Sequence, residues 1–371
     1  MRRIPISQPT LHGNEKKYVN DCLDTNWISG GKYVNAFEEQ FADFCQAKHA
    51  ISVANGTVAL HVALLGLGIE AGDEVIVPDL TYIASANSVM YCNAKPIFVD
   101  VDPVTWTIDP QDITRKLTNR TKAIMPVHLY GHPADMTPIL EIARANNIAI
   151  IEDAAEAHGA EYNGQRTGSL GDIAAFSFYG NKIITTGEGG MVVTNDDELA
   201  SRVRLLKGQG MDPQRRYWFP VIGYNYRMTN LQAAIGLAQL ERIDSFIERR
   251  IEIAEWYADE LQDVELELPV EAEWAKNVFW LYALVLPDHI DRDLFMQQME
   301  ERGVETRPFF YPMHILPPYE NSGGDTAYPV STRLGAQGIN LPAFTDLTQD
   351  DVRYVCEAIK ICLQRQQQPT K

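Results

Sequence analysis

The chain has 371 residues, of which 45% are hydrophobic and 22% charged, and its net charge is −18. That length calls for one large domain and a smaller one, and the composition is ordinary for a globular protein. The acidic balance excludes a broad nucleic-acid surface, which needs cations to offset phosphate, and five scattered cysteines without metal-ligand spacing (Cys22, Cys45, Cys92, Cys356, Cys362) read as reduced thiols of a cytoplasmic protein.

The first residues, "MRRIPISQPTLHGNEKK", hold no apolar run of signal-peptide length. The longest apolar stretch, near "VALHVALLGLGI", is too short for a bilayer and includes His61, so no membrane partner is expected. "TNWISGG" (25–31) has a loop composition and carries Trp27 and Ser29. In "ANGTVAL" (54–60), Asn55, Gly56 and Thr57 open a helix. Such a start can hold a phosphate on free N–H groups or can be an ordinary N-cap.

From about 50 to 200, apolar runs alternate with helical patterns. Strands are expected at 74–78, 95–102, 122–131, 148–159, 172–180 and 189–196, and helices at 57–68, 83–92 and 136–147. This alternation predicts an α/β fold with a mostly parallel sheet covered on both faces, whose ligands bind at the carboxyl ends of the strands. Tyr82 follows the first of these strands, as a stacking aromatic or as core. "IIEDAAEAHG" ends another with Glu152, Asp153 and Glu156, which need partners if buried. "SFYGNKIITTGEGG" (177–190) runs from Ser177 through a Gly-Asn turn to Lys182. An amine held in such a turn is partly desolvated, which makes it nucleophilic toward carbonyls.

Beyond 229 the pattern changes. Residues 229–261 form a long helical stretch, capped by Thr229 and broken once, followed by a strand at 278–287, a helix at 292–303, a strand at 304–310 and a last helix from about 348. The expected division is 1–245 as the large domain and 246–371 as a smaller α+β domain, with the N-terminal residues packing partly against the latter. "RRYWF" (215–219) and "RPFFYPMH" (307–314) add basic and aromatic side chains in loop-like settings, among them Arg216, Tyr311 and His314.

A phosphate cradle, a stacking aromatic, an acid for a ring nitrogen and a lysine are together what pyridoxal phosphate requires. The order of these features resembles the nucleotide-sugar aminotransferases of the DegT/DnrJ/EryC1/StrS family. "NGTVAL", "EDAAEAHG", "GSLGDIAAFSFYGNKIITTGEGG" and "GYNYRMTNLQAAIGLAQLERI" carry the likeness, which runs from the first residues to about 365. It implies the aspartate aminotransferase-like fold (fold type I), a homodimer with shared active sites, and pyridoxal phosphate as cofactor. It also implies a role for each matching residue. Lys182 bonds to the cofactor and moves protons. Asp153 pairs with the ring nitrogen, Tyr82 stacks on the ring, and Gly56, Thr57 and Ser177 hold the phosphate. Glu156 lies near the ring's O3′, where more distant members carry an amide. Asn225 reaches the phosphate from the partner subunit. The sugar nucleotide binds around Trp27, Ser29, Arg216, Tyr311 and His314. "GQGMDPQRRYWFP" and "ETRPFFYPMHILPPY" look like the subgroup that aminates GDP-4-keto-6-deoxy-D-mannose with L-glutamate, for a surface polysaccharide. A UDP- or dTDP-linked acceptor is the alternative. A 3-dehydratase, which carries histidine in place of the lysine, and a non-catalytic regulator are disfavoured by Lys182 and its companions.

Overall fold

The apolar runs of the first half assemble into one seven-stranded sheet in the computed structural model, which describes residues 2–320 and 322–367. The strands are β1 (His49–Val53), β2 (Glu74–Pro78), β3 (Lys95–Val99), β4 (Thr121–Ile124), β5 (Ala149–Asp153), β6 (Ile173–Ser177) and β7 (Gly190–Thr194). They lie in the order β1–β7–β6–β5–β4–β2–β3. Pairing is parallel from β6 to β3, and β7 runs antiparallel to both of its neighbours.

Side chains alternate across a strand, and β6 shows the consequence. Ala174 and Phe176 face a core made with α2 (Lys32–Phe44) and α8 (Asn230–Leu240), whereas Ile173 and Ala175 face one made with α3 (Gly56–Leu67), α4 (Ala84–Tyr91) and α7 (Asp197–Lys207). α3 is apolar almost all round and is buried along most of its length. α1 (Glu15–Asp24) packs on α8, and α5 (Pro110–Lys116) and α6 (Met136–Asn146) cover the β3–β4–β5 side.

The C-terminal part gathers around a smaller antiparallel sheet in the order β8–β10–β9, made of β8 (Tyr282–Val285), β9 (Arg307–Pro308) and β10 (Gly338–Leu341). Its core is shared with α9 (Ile243–Leu261), α10 (Arg292–Glu301) and α12 (Gln349–Gln367), and α11 (Pro329–Gln337) precedes β10. Ile4 belongs to this core, with its N–H on Gly303 O and its carbonyl on Glu305 N.

Strands stop short of their apolar runs. The run at 122–131 leaves the ladder after Ile124, bridges once more at Val127–Asp153, and turns at Leu129–Gly131, where Tyr130 takes a φ of 54°. The helical stretch at 229–261 is two helices, α8 and α9, interrupted at Glu241 and Arg242, and Thr229 and Gln232 form a reciprocal capping box at its start. The strand expected at 304–310 shrinks to Arg307–Pro308. All five cysteines are free and buried. Among the described residues no helix is long and apolar enough to cross a membrane.

Candidate active site

The carboxyl ends of β5 and β6 and the start of α3 converge on one place. Asn55 caps α3: its Oδ1 accepts the Val58 N–H at 3.0 Å and its carbonyl accepts that of Ala59. Among the described residues the Gly56 and Thr57 N–H groups have no partner. The helix start is seated this closely because of two glycines. A Cβ at Gly56 would fall 2.7 Å from Ser177 Cβ, and one at Gly190 would fall 2.4 Å from the Asn55 carbonyl oxygen. Two amides, the positive end of a helix and the Ser177 hydroxyl therefore share a small space, and this donor set fits a phosphate.

Alternation along β5 separates two adjacent carboxylates. Glu152 accepts His128 Nε2 at 3.0 Å and the N–H groups of Gly168, Leu170 and Gly171 at 2.8 Å each, so it fastens the loop before β6. Because the Ala134 N–H donates to His128 Nδ1, the proton of this ring sits on Nε2 and points at Glu152. Asp153 turns the other way. Its Oδ2 accepts the Ser85 hydroxyl at 2.7 Å and its Oδ1 the Ala155 N–H at 3.2 Å. Burial pushes its pKa up, while Ser85, Ala155 and the Lys182 charge pull it back. A carboxylate so oriented fits a protonated ring nitrogen.

Lys182 lies in the turn after β6, where its N–H bonds to Tyr179 O and Phe178 closes the loop against Gly189 and Thr186. Its Nζ donates to Glu156 Oε1 at 3.4 Å and lies 3.7 Å from the centroid of the Trp280 ring. Burial lowers the lysine's pKa, and Glu156 and then Asp153 oppose that shift. Glu156, raised by burial, receives the Tyr130 N–H on Oε2 at 2.8 Å. Three groups of this site carry no signal in the sequence: Ser85, Tyr130 and Trp280. Trp280 donates its indole N–H to Asn181 O at 2.7 Å and so holds the turn that carries Lys182. Nothing local in "VFWLY" signals that contact, which spans about a hundred residues of chain.

Tyr82 is 57% exposed, with its ring 5.6 Å from that of Phe310, and can offer a face to a flat ring. Trp27, Ser29, Arg216 and Tyr311 are exposed and make no hydrogen bond or ring contact with Lys182, Asp153, Glu156 or Ser177 among the described residues. Arg216 lies over the Tyr217 ring. His314 sits in a setting unlike a surface loop. It is 3% exposed, its Nδ1 and backbone N–H both bond to Asp79, and its ring stacks on Tyr328. Burial pushes Asp79 up to about 6 against the pull of His314. Asn225 is exposed and accepts the Arg227 guanidinium, and the next carbonyl, of Tyr226, accepts the Ala54 N–H beside the phosphate-sized cradle.

A model of the DegT/DnrJ/EryC1/StrS aminotransferase family matches residues 9–360. The chain is 53% identical to the GDP-perosamine synthase of Caulobacter vibrioides over 362 residues, which cover 96% of this chain and 97% of that one. It is 51% identical to the enzyme of that name from Escherichia coli O157:H7, over 97% and 98% of the two chains. Its fold is similar to that of a putative sugar aminotransferase from Streptococcus pneumoniae in the PMP form, with a TM-score of 0.94 and 28% identity over 98% of each chain.

Proposed function

Since the chain belongs to the DegT/DnrJ/EryC1/StrS aminotransferase family, we propose that it aminates C4 of GDP-4-keto-6-deoxy-D-mannose to give GDP-perosamine, with L-glutamate as donor. It is a sugar aminotransferase dependent on pyridoxal phosphate. The observation that carries the acceptor is the 53% identity, over nearly the whole of both chains, to a GDP-perosamine synthase.

Bound in this site, pyridoxal phosphate supplies an electron sink for a carbanion. The chain's residues do the rest. Gly56, Thr57 and Ser177 hold the phosphate. The Asp153 carboxylate would keep a proton on the ring nitrogen, and Tyr82 would cover the ring face. Lys182 would hold the cofactor through its Nζ and, as a free amine, would take up the proton from the amino acid's α-carbon. Trp280 and Glu156 flank that amine. Two chains form each site, Asn225 serving the partner's phosphate, and Trp27, Ser29, Arg216, Tyr311 and His314 border the sugar nucleotide.

The test offers GDP-, UDP- and dTDP-linked 4-keto-6-deoxy sugars with glutamate and reads product mass and kcat/KM. The GDP sugar is expected to lead, because a site that hydrogen-bonds guanine leaves its groups unpaired with another base. Equal or better kcat/KM with a UDP or dTDP sugar overturns the acceptor. Borohydride treatment of the holoenzyme should fix the cofactor to the peptide holding Lys182, and a label elsewhere ends that assignment.

A further inference from the structure

Burial alone drives a lysine toward its neutral form. At Lys182 that tendency is opposed on two sides, by the Trp280 indole 3.7 Å from Nζ and by Glu156 Oε1 at 3.4 Å, with Asp153 adding a weaker attraction. Glu156 is held in place by its other oxygen. Oε2 accepts the Tyr130 N–H at 2.8 Å, and Tyr130 presents that N–H from a left-handed backbone, with φ of 54°. A tyrosine takes that conformation at a cost, which the surrounding structure must offset. Here it stacks on Trp280 and Phe310, and its hydroxyl accepts the Phe310 N–H. The strained turn thus fixes one carboxylate oxygen and leaves the other facing the amine.

The remaining titratable groups nearby do not compete for this pairing. His158, on the same loop as Glu156, is fully buried among the rings of Phe41, Phe176 and Phe178, and burial holds it neutral, down to about 3. Burial pushes the Tyr130 phenol above its ordinary range. Glu152 and His128 are bonded to each other on the opposite side of β5. Arg250 is turned away, with its guanidinium on the carbonyls of Trp280 and Ala343.

We propose that Glu156 is a positioning residue acting through Lys182, its carboxylate holding the proton on the lysine amine and setting the pH at which that amine becomes a base. This rests on Lys182 being the proton-moving residue. Glu156→Gln isolates the charge. It keeps the volume and an oxygen for the Tyr130 N–H, and it offers an amide where the carboxylate faced Nζ.

The experiment uses the cofactor-free protein. Lys182 is labelled competitively with acetic anhydride across a pH series, and the labelled peptide is quantified by mass spectrometry. An opposite charge at this range moves a pKa by roughly one to three units. The labelling midpoint of Glu156→Gln is therefore expected to fall by at least about one unit below that of the wild type. In the loaded enzyme, the pH midpoint of the visible absorption should move the same way. An unmoved labelling midpoint in a variant with the wild-type circular dichroism overturns the proposal. If Glu156→Gln does not fold, the reciprocal variant decides. In Lys182→Met the carboxylate loses its cation, so infrared spectra of protein labelled with carbon-13 glutamate should show a protonated carboxyl near neutral pH that the wild type lacks. Absence of that band overturns the proposal as well. Failure here is separable from failure of the functional reading. A borohydride label away from Lys182 ends the role of the lysine, whereas an unmoved midpoint ends only that of Glu156.

Discussion

Glu152 and Asp153 are adjacent, both buried, and chemically almost alike, yet the pleat of β5 sends one to a loop and the other to the site. The difference lies in their partners. Glu152 is surrounded by four donors, and Asp153 by two, one of them the Ser85 hydroxyl that aims it. Asp153→Asn keeps the shape and removes the charge that would hold a ring nitrogen protonated. Turnover is expected to fall roughly a hundredfold or more, since preorganised electrostatic stabilisation is commonly worth a few kcal/mol. Cofactor affinity, read by equilibrium dialysis, should fall less, and near-normal turnover would assign the job to another group. His158 allows a prediction on stability. Its folded pKa is depressed to about 3 from 6.5, so the unfolded chain binds its proton more readily. The stability present above about pH 6.5 is therefore lost as pH falls toward the folded value, by ~2 kcal/mol at about pH 5. His158→Phe should flatten the fall of Tm between about pH 7 and pH 5, leaving the part due to His132, which burial lowers to about 4. An equally steep acid limb in the variant would mean that other groups set it.

At the scale of elements, α3 and the turn after β6 define the site, and both lie where "NGTVAL" and "SFYGNK" mark them. Gly56→Ala tests the seating. Its Cβ would meet Ser177 Cβ at 2.7 Å, which forces the helix start away from β6. Phosphate-dependent cofactor retention on dialysis should drop severalfold, with little change in far-UV circular dichroism, and full retention would separate the phosphate from this cradle. The six strands β2 to β7 were legible because each is a nearly continuous apolar run between turn residues. The break between α8 and α9 and the Thr229 cap were legible too, the latter because Thr-x-x-Gln is a local signature. β1 carries no such signal, since "HAISV" mixes polar with apolar residues and its partner β7 lies more than a hundred residues away. The left-handed Tyr130 and the reach of Trp280 to Asn181 were equally hidden. Each depends on which distant backbone the chain meets, and no spacing within its own segment encodes that. His314 shows the converse. Its loop-like neighbours "FFYP" and "ILPPY" do not reveal that Asp79 pulls the ring into the interior.

At the scale of the whole molecule, the question is whether one chain makes a complete site. The segment at 223–230 is tied to its own chain, through Tyr226 O to Ala54 and through the Tyr226 hydroxyl to His61, but among the described residues the Asn225 side chain hydrogen-bonds only to Arg227. We have proposed that Asn225 serves the phosphate of the partner, while Lys182 acts in its own chain. Complementation discriminates. Lys182→Ala and an inactivating substitution of Asn225 are each prepared as homodimers and then mixed under conditions that exchange subunits. If Asn225 acts across the interface, each mixed dimer contains one site with both lesions and one with neither. Activity should then return in proportion to the mixed dimer, counted by native mass spectrometry. If Asn225 acts within its own chain, every site keeps one lesion and activity stays at background. Subunit exchange without recovery would reject the shared site and leave Gly56, Thr57 and Ser177 as the phosphate's holders from a single chain.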